Sequence, residues 1–124
     1  MYVSIAANDG QAMDKRHQHR IKLVQDLFAY SFNKQKESAL DPILAHLKKI
    51  DKAIEQYAPR YPTDKIAKID LAILRLSIYE IMFEKKNPLK VVIDEAIILS
   101  KEFGTEKSYA FINGVLGALL KNTT

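Results

Sequence analysis

One segment of this chain, Asp64 to about Lys85, is compatible with very few folds. Placed at about 100° per residue, Ile66, Ile69, Ile73, Leu76 and Phe83 fall on one side and Leu71, Leu74, Ile78 and Met82 on the other. A helix that is apolar nearly all the way round has to be enclosed by other elements. Two polar seams interrupt it, one of Lys68, Arg75 and Tyr79, the other of Asp70, Ser77 and Glu84. The segment is therefore expected to be the central helix of a bundle.

The stretch from Pro88 to Lys121 supplies two helices to pack on it. Leu89, Val92, Ile93, Ala96, Ile97, Leu99 and Phe103 make one wide apolar face, with Lys90, Asp94 and Lys101 opposite. Pro88 suits a helix start, and Gly104 is expected to close the helix in a left-handed conformation, leaving Thr105 to cap the next one. In that last helix Tyr109, Ile112, Leu116, Leu119 and Leu120 form the expected core stripe, with Asn113 beside it as a buried, hydrogen-bonded clamp. Gly114 and Gly117 are expected to allow close approach of a neighbouring backbone, since a mid-helix glycine costs about 1 kcal/mol relative to alanine. Val91 and Ile98 are not needed for the core stripe and are expected to meet the far side of the central helix or a partner.

The first half is less regular. Residues 1–12 lack periodicity and are expected to form a flexible tail; residues 13–60 form an N-terminal helical half and residues 61–124 a C-terminal half built on the central helix. Ile21, Val24, Leu27, Phe28 and Phe32 recur at helical spacing. Asp41 followed by Pro42 predicts the cap and first turn of a second helix with core residues Ile43, Leu47, Ile50, Ile54 and Tyr57. Pro59 and Pro62 make Ala58 to Thr63 a stiff connector. With no strand-like alternation, the fold class is all-α, of about five helices.

Few classes of chemistry fit. The 124 residues hold no cysteine, which removes disulfide and thiolate-metal frameworks, and no phosphate-binding or nucleophile-elbow motif occurs. His17 and His19, two residues apart, diverge by about 200° on a helix and cannot share a metal; His46 reads as a partly buried surface histidine. Asp94 and Glu95 diverge on their helix and do not make an acid–base pair. No catalytic role, cofactor or metal is expected. No apolar run is long enough to cross a bilayer and no signal peptide is evident, so a cytoplasmic protein is expected.

The informative cluster is basic. Lys15, Arg16, His17, His19 and Arg20 crowd the presumed first turn of the first helix, where positive charge opposes the helix dipole. A phosphate backbone would supply the missing negative charge. Four such contacts to a single strand imply a roughly fifty-fold loss of affinity for a fourfold rise in salt.

Three blocks then carry a resemblance: LRLSIYE (Leu74 to Glu80), PLKVVIDEAIILSKEFG (Pro88 to Gly104) and S-x-x-F-I-N-G-V-L (Ser108 to Leu116). In their order and spacing the chain resembles the NusB family of transcription antitermination factors, over about Arg16 to Phe32 and Ile50 to Leu120. The resemblance implies two perpendicular helical sub-bundles. It also implies binding of boxA-like single-stranded RNA of rRNA leader transcripts together with a small ribosomal protein in the NusE role, within an RNA polymerase antitermination complex. RNA-binding residues are then expected at Lys15, Arg16, His19 and Arg20, at the aromatic rings of Phe28 and Phe111, and at Lys107. The protein partner is expected along the seam of Asp70, Ser77 and Glu84, with Asp70 at the family's acidic position. Family members carry about twenty more residues between the first helix and the one ending near Tyr57, so the N-terminal half is expected to lack one helix and to expose apolar surface. A helical adaptor or homodimer with weak RNA binding is the alternative. A detached accessory domain of an rRNA methyltransferase is a third reading, disfavoured because 124 residues leave no room for a methyl-donor domain.

Overall fold

The computed structural model describes residues 4–123, with side chains described for 15–122. Six α-helices follow one another: α1 (Ser4–Asn33), α2 (Asp41–Leu44), α3 (Leu47–Tyr57), α4 (Lys68–Tyr79), α5 (Leu89–Phe103) and α6 (Glu106–Thr123). No strand occurs among the described residues, and no described helix is long and apolar enough to cross a membrane. Every residue from Asp70 to Ile78 is buried, and α4 packs against each of the other five helices. Its apolar circumference is enclosed by α1, α2 and α3 together with the α5–α6 pair.

The elements depart from the sequence pattern at several places, each for a physical reason. α1 is already helical at Ser4, seventeen residues before the apolar stripe begins at Ile21, and so runs through most of the stretch expected to be a tail. The expected helix from Asp41 to Tyr57 is broken at Ala45–His46, and Asp41 has helical backbone angles instead of capping. The break lays the His46 ring flat on Phe83, centroids 4.0 Å apart, while Leu40 and Ile43 enter the core. Thr63–Lys65 is a separate 3-10 turn, so α4 begins at Lys68. Beyond Tyr79 the helix widens into a π turn, Glu80–Glu84, ended by Lys85 in the left-handed region with φ 56°; its N–H donates back to the Glu80 carbonyl at 2.9 Å.

Gly104 is not left-handed: its φ of −99° and ψ of −165° are extended and open to any residue. Space is what demands glycine there. A Cβ would lie 2.5 Å from the Ser108 Cβ and Oγ and 2.8 Å from the Ser100 carbonyl. Ser108, buried, accepts a hydrogen bond from the Thr105 N–H at 2.9 Å and so closes the first turn of α6. The α6 core stripe is Ser108, Ile112, Val115, Leu116 and Leu119, whereas Tyr109 is exposed beneath Lys101, whose Nζ stands 5.0 Å from its ring centroid. Asn113 is exposed rather than a buried clamp, and a Cβ at Gly114 or Gly117 would meet nothing within 4 Å. Val91 and Ile98 are 41% and 45% exposed and do not reach α4.

Ion pairs between elements fasten the helices. Arg75 on α4 donates from Nε and Nη2 to both carboxylate oxygens of Asp51 on α3, at 3.0 and 2.9 Å. On the other side His17 of α1 lies between two glutamates of α5, its Nδ1 3.0 Å from Glu95 and its Nε2 against Glu102. A neutral imidazole has one N–H and would point a lone pair at one of these carboxylates, so the geometry is that of an imidazolium. Burial, the largest single influence on this pKa, lowers it, but the hydrogen bonds and charges of Glu95 and Glu102 together outweigh burial and raise it above its ordinary value.

These contacts set two expectations for stability. Gly104→Ala is expected to destabilise by about 1–3 kcal/mol through overpacking, while Gly117→Ala, unobstructed in mid-helix, is expected to stabilise by up to about 1 kcal/mol; a lower Tm for Gly117→Ala would contradict the open site. The raised pKa of His17 means its contribution is complete below the unfolded value and fades as pH rises through the folded one. Denaturant melts of wild type and His17→Gln should therefore diverge in mild acid and converge in mild alkali, and a pH-independent difference would rule out the charged clamp.

Candidate nucleic-acid interface

The basic residues of α1 sit on a continuous helix that starts at Ser4, so they lie in its middle and not in its first turn. The dipole penalty expected from the sequence therefore does not arise, and the case for an anion partner rests on which charges remain unpaired. The cluster divides by helical angle. Arg20 continues the buried stripe of Leu23, Val24 and Leu27 and is itself only 6% exposed. Its Nε and Nη2 donate to Glu80 at 2.9 and 2.8 Å, and Nη1 lies 3.7 Å from Glu95. Asn87 adds a contact to the same Glu80 side chain at 3.5 Å. Arg20 is thus an internal fastener whose charge is matched by Glu80, and His17 is spent on α5. Lys22 is tied to Asp26 at 2.8 Å.

Lys15, Arg16 and His19 point the other way, exposed and without a partner among the described residues. With Lys86 from the α4–α5 loop they rim an open cleft of about 510 Å³ floored by Leu23, Leu76 and Tyr79. Glu80 and Glu84 also line it, but the Glu80 charge is matched by Arg20. Burial, reinforced by the Glu84 and Glu80 charges, raises the Tyr79 pKa, so the phenol stays protonated and can donate.

The other expected site residues fall in different places. Phe28 is exposed at the edge of Phe32, with ring centroids 4.9 Å apart and planes at 74°, and Phe32 is 62% exposed instead of core. Lys68 stands 6.0 Å from the Phe32 ring, and no element covers the pair. Lys107 and Phe111 share a face of α6 one turn apart, Lys107 exposed and Phe111 half-buried edge-to-face on Tyr61, centroids 5.3 Å apart. The structure therefore gathers Lys15, Arg16 and His19 at one cleft and places Lys107 with Phe111 on α6. Of the expected partner seam, only Glu84 is accessible. Ser77 is buried with its hydroxyl donating to the Ile73 carbonyl at 2.8 Å, and Asp70 is buried with one carboxylate oxygen unpaired. A seam on a helix enclosed on every side ends up inside the protein, which corrects the expectation for both.

Two cavity walls contain residues that no sequence pattern marked, Lys86 beside α1 and Arg60 with Tyr61 in the connector. Lys86 follows the π turn, whose extra residue per hydrogen bond no apolar pattern announces. Arg60 and Tyr61 lie in the connector between the two prolines, where the pattern speaks only of stiffness. No group of three or more His, Asp or Glu among the described residues is placed to hold a metal.

Comparison with known proteins agrees with this architecture. The transcription antitermination protein NusB of Caldicellulosiruptor saccharolyticus is 40% identical over 83 residues, covering 67% of this chain and 63% of that protein. Its counterpart from Agathobacter rectalis is 46% identical over 74 residues, 60% of this chain and 56% of that protein. The chain thus spans less than two thirds of the length of the curated relatives it matches. Among solved structures, Thermotoga maritima NusB superposes with a TM-score of 0.78 at 29% identity, covering 86% of this chain and 90% of that one. A NusB–NusE complex with double-stranded RNA, 22% identical with a TM-score of 0.77, shares the fold. The sequence model of the NusB family matches residues 11–121, nearly the whole described helical domain, and the chain belongs to the NusB family.

Proposed function

We propose that this chain is a non-enzymatic, RNA-binding transcription antitermination factor, which engages boxA-like single-stranded RNA of rRNA leader transcripts together with a small ribosomal protein in the NusE role. The observation that carries this reading is the set of unpaired cations, Lys15, Arg16 and His19 with Lys86, around one open cleft whose own carboxylate Glu80 is already neutralised from inside by Arg20. A relative of the same fold was solved with NusE and double-stranded RNA. Exposed rings at Phe28 and the half-open Phe111 favour unpaired bases here, because a duplex keeps its base faces stacked and hidden. Lys107 adds a cation one turn from Phe111. With Asp70 and Ser77 interior, Glu84 at the cleft edge is the remaining acidic contact for a basic ribosomal protein.

A second reading is favoured by one observation. Val91 and Ile98, two turns apart on α5, form an exposed apolar stripe that fits a protein adaptor or a homodimer. Sedimentation separates the readings, since a monomer at high micromolar concentration eliminates the homodimer.

The RNA reading predicts salt-sensitive binding of a short boxA-like single strand, strengthened by the ribosomal partner. The double variant Lys15→Gln, Arg16→Gln should flatten the slope of log affinity against log salt by about 1.4, or about 0.7 for each phosphate no longer neutralised. Arg20→Gln should act differently, lowering the Tm with the salt slope of the folded protein unchanged. Absence of partner-dependent, salt-sensitive binding in the wild type would defeat the proposal.

A further inference from the structure

A second cavity, of about 280 Å³, opens between the proline-flanked connector and the middle of α6, bounded by Tyr57, Pro59, Arg60, Tyr61, Phe111 and Gly114. We propose that this cavity holds one unstacked nucleobase of the bound RNA, with Arg60 on the adjoining phosphate; the inference rests on the RNA reading above and adds Arg60 and Tyr61 to it.

Four observations converge here. The cavity has aromatic walls: Tyr61 and Phe111 stand in T-shaped contact at 82°, and Tyr61, 49% exposed, keeps about half of its surface open to a planar ring. It is held open without a ligand, because the Tyr61 N–H donates to the Ala58 carbonyl at 3.0 Å and Pro59 and Pro62 stiffen the turn on either side. The charge is suited to an anion. No carboxylate lines this cavity, whereas two line the α1 cleft, and the Arg60 guanidinium has no partner among the described residues. The fourth observation is Gly114. A mid-helix glycine is unfavourable relative to alanine, and no neighbour demands it, since a Cβ there would meet nothing within 4 Å. What its missing side chain leaves clear is the cavity.

The size is appropriate. Sites that enclose whole drug-sized ligands measure about 300–1,000 Å³, and a half-open cleft just below that range admits one ring system. Single-stranded RNA is read by splaying bases out onto aromatic faces while cations follow the backbone. Lys107, one turn before Phe111 on the same face of α6, extends the positive track away from the cavity mouth.

The test uses the full chain with the ribosomal partner and a short boxA-like single-stranded RNA bearing a terminal fluorophore, followed by anisotropy. Gly114→Leu should fill the cavity without disturbing the fold, with Gly117→Leu, equally unobstructed but outside the cavity, as its control. Gly114→Leu and Tyr61→Leu are each expected to weaken binding roughly tenfold, the value of one stacked base, with Tm held. Arg60→Gln should lower the salt slope by about 0.7. The chain contains no tryptophan, so Tyr61→Trp creates a single reporter whose emission RNA should quench with affinity retained. Wild-type affinity in Gly114→Leu with unquenched emission in Tyr61→Trp, while Lys15→Gln, Arg16→Gln still weakens binding, would overturn the base pocket and leave the RNA reading standing. Failure of the wild type to bind RNA would overturn both. Quenching of Tyr61→Trp by a proline-rich peptide and not by RNA would reassign the cavity to peptide.

Discussion

The buried pair of Arg20 and Glu80 governs how the rest of the domain is arranged. Both side chains are withdrawn from water, and the desolvation is offset only because two charge-assisted hydrogen bonds, the Asn87 amide and the nearby Glu95 carboxylate leave little of either group unsatisfied. Taking away one partner would strand a buried charge, a loss of about 3–5 kcal/mol. Glu80 has a second task, since its carbonyl accepts the Lys85 N–H that closes the π turn. One residue thereby fixes where the central helix ends and where α1 lies across it. Lys15, Arg16 and His19 are within about one turn of Arg20, so their place at the cleft rim is set by this interior contact.

A dense basic run on a helix cannot all face one way. Successive residues are about 100° apart, so Lys15, Arg16 and His19 fall on one arc and His17 and Arg20 on another. α5 and the π turn meet the second arc with Glu95, Glu102 and Glu80. The surface charge available to the proposed RNA is therefore smaller than the sequence suggests, and contributions from Lys86 and Lys107, on other elements, gain weight. This is also why a cleft containing two glutamates can remain attractive to phosphate: the Glu80 charge is already neutralised from the protein side.

Much of the fold was legible because the strongest pattern was the least ambiguous. An all-round apolar helix has to be central, and α4 is. On α3, Ile50 and Ile54 are buried as the core stripe predicts, while Lys48, Lys49, Lys52 and Glu55 lie exposed on the opposite side. Buried polar residues are harder to recognise. Arg20 is three residues before Leu23, four before Val24 and seven before Leu27, so the stripe itself marks it as interior; its charge conceals that. Ser108, four before Ile112 and seven before Val115, is hidden in the same way, and the more hydrophobic Tyr109 takes its place in a stripe drawn by hydropathy. The break at Ala45–His46 and the π turn have no signature in spacing, and the two meet across the fold where His46 stacks on Phe83. The site was half legible: charge and aromatic content could be read, but which cations are free is decided by carboxylates some sixty to eighty residues away in sequence.

The two exposed ring pairs show how context divides similar chemistry. Phe28 and Phe32 are four apart on one helix, with Lys68 as the nearby cation, in an N-terminal half where only the Ser38–Leu40 3-10 turn and the short α2 stand between α1 and α3. Tyr61 and Phe111 come from different elements and bound a cavity. A pair on one helix makes a convex patch, on which a ring could be covered from one side only. A pair bridging two elements makes a concave site that can surround an inserted base and position its phosphate against Arg60. Concavity, rather than the count of aromatic residues, is what distinguishes the connector–α6 cavity from the rest of this surface as the proposed site for a base.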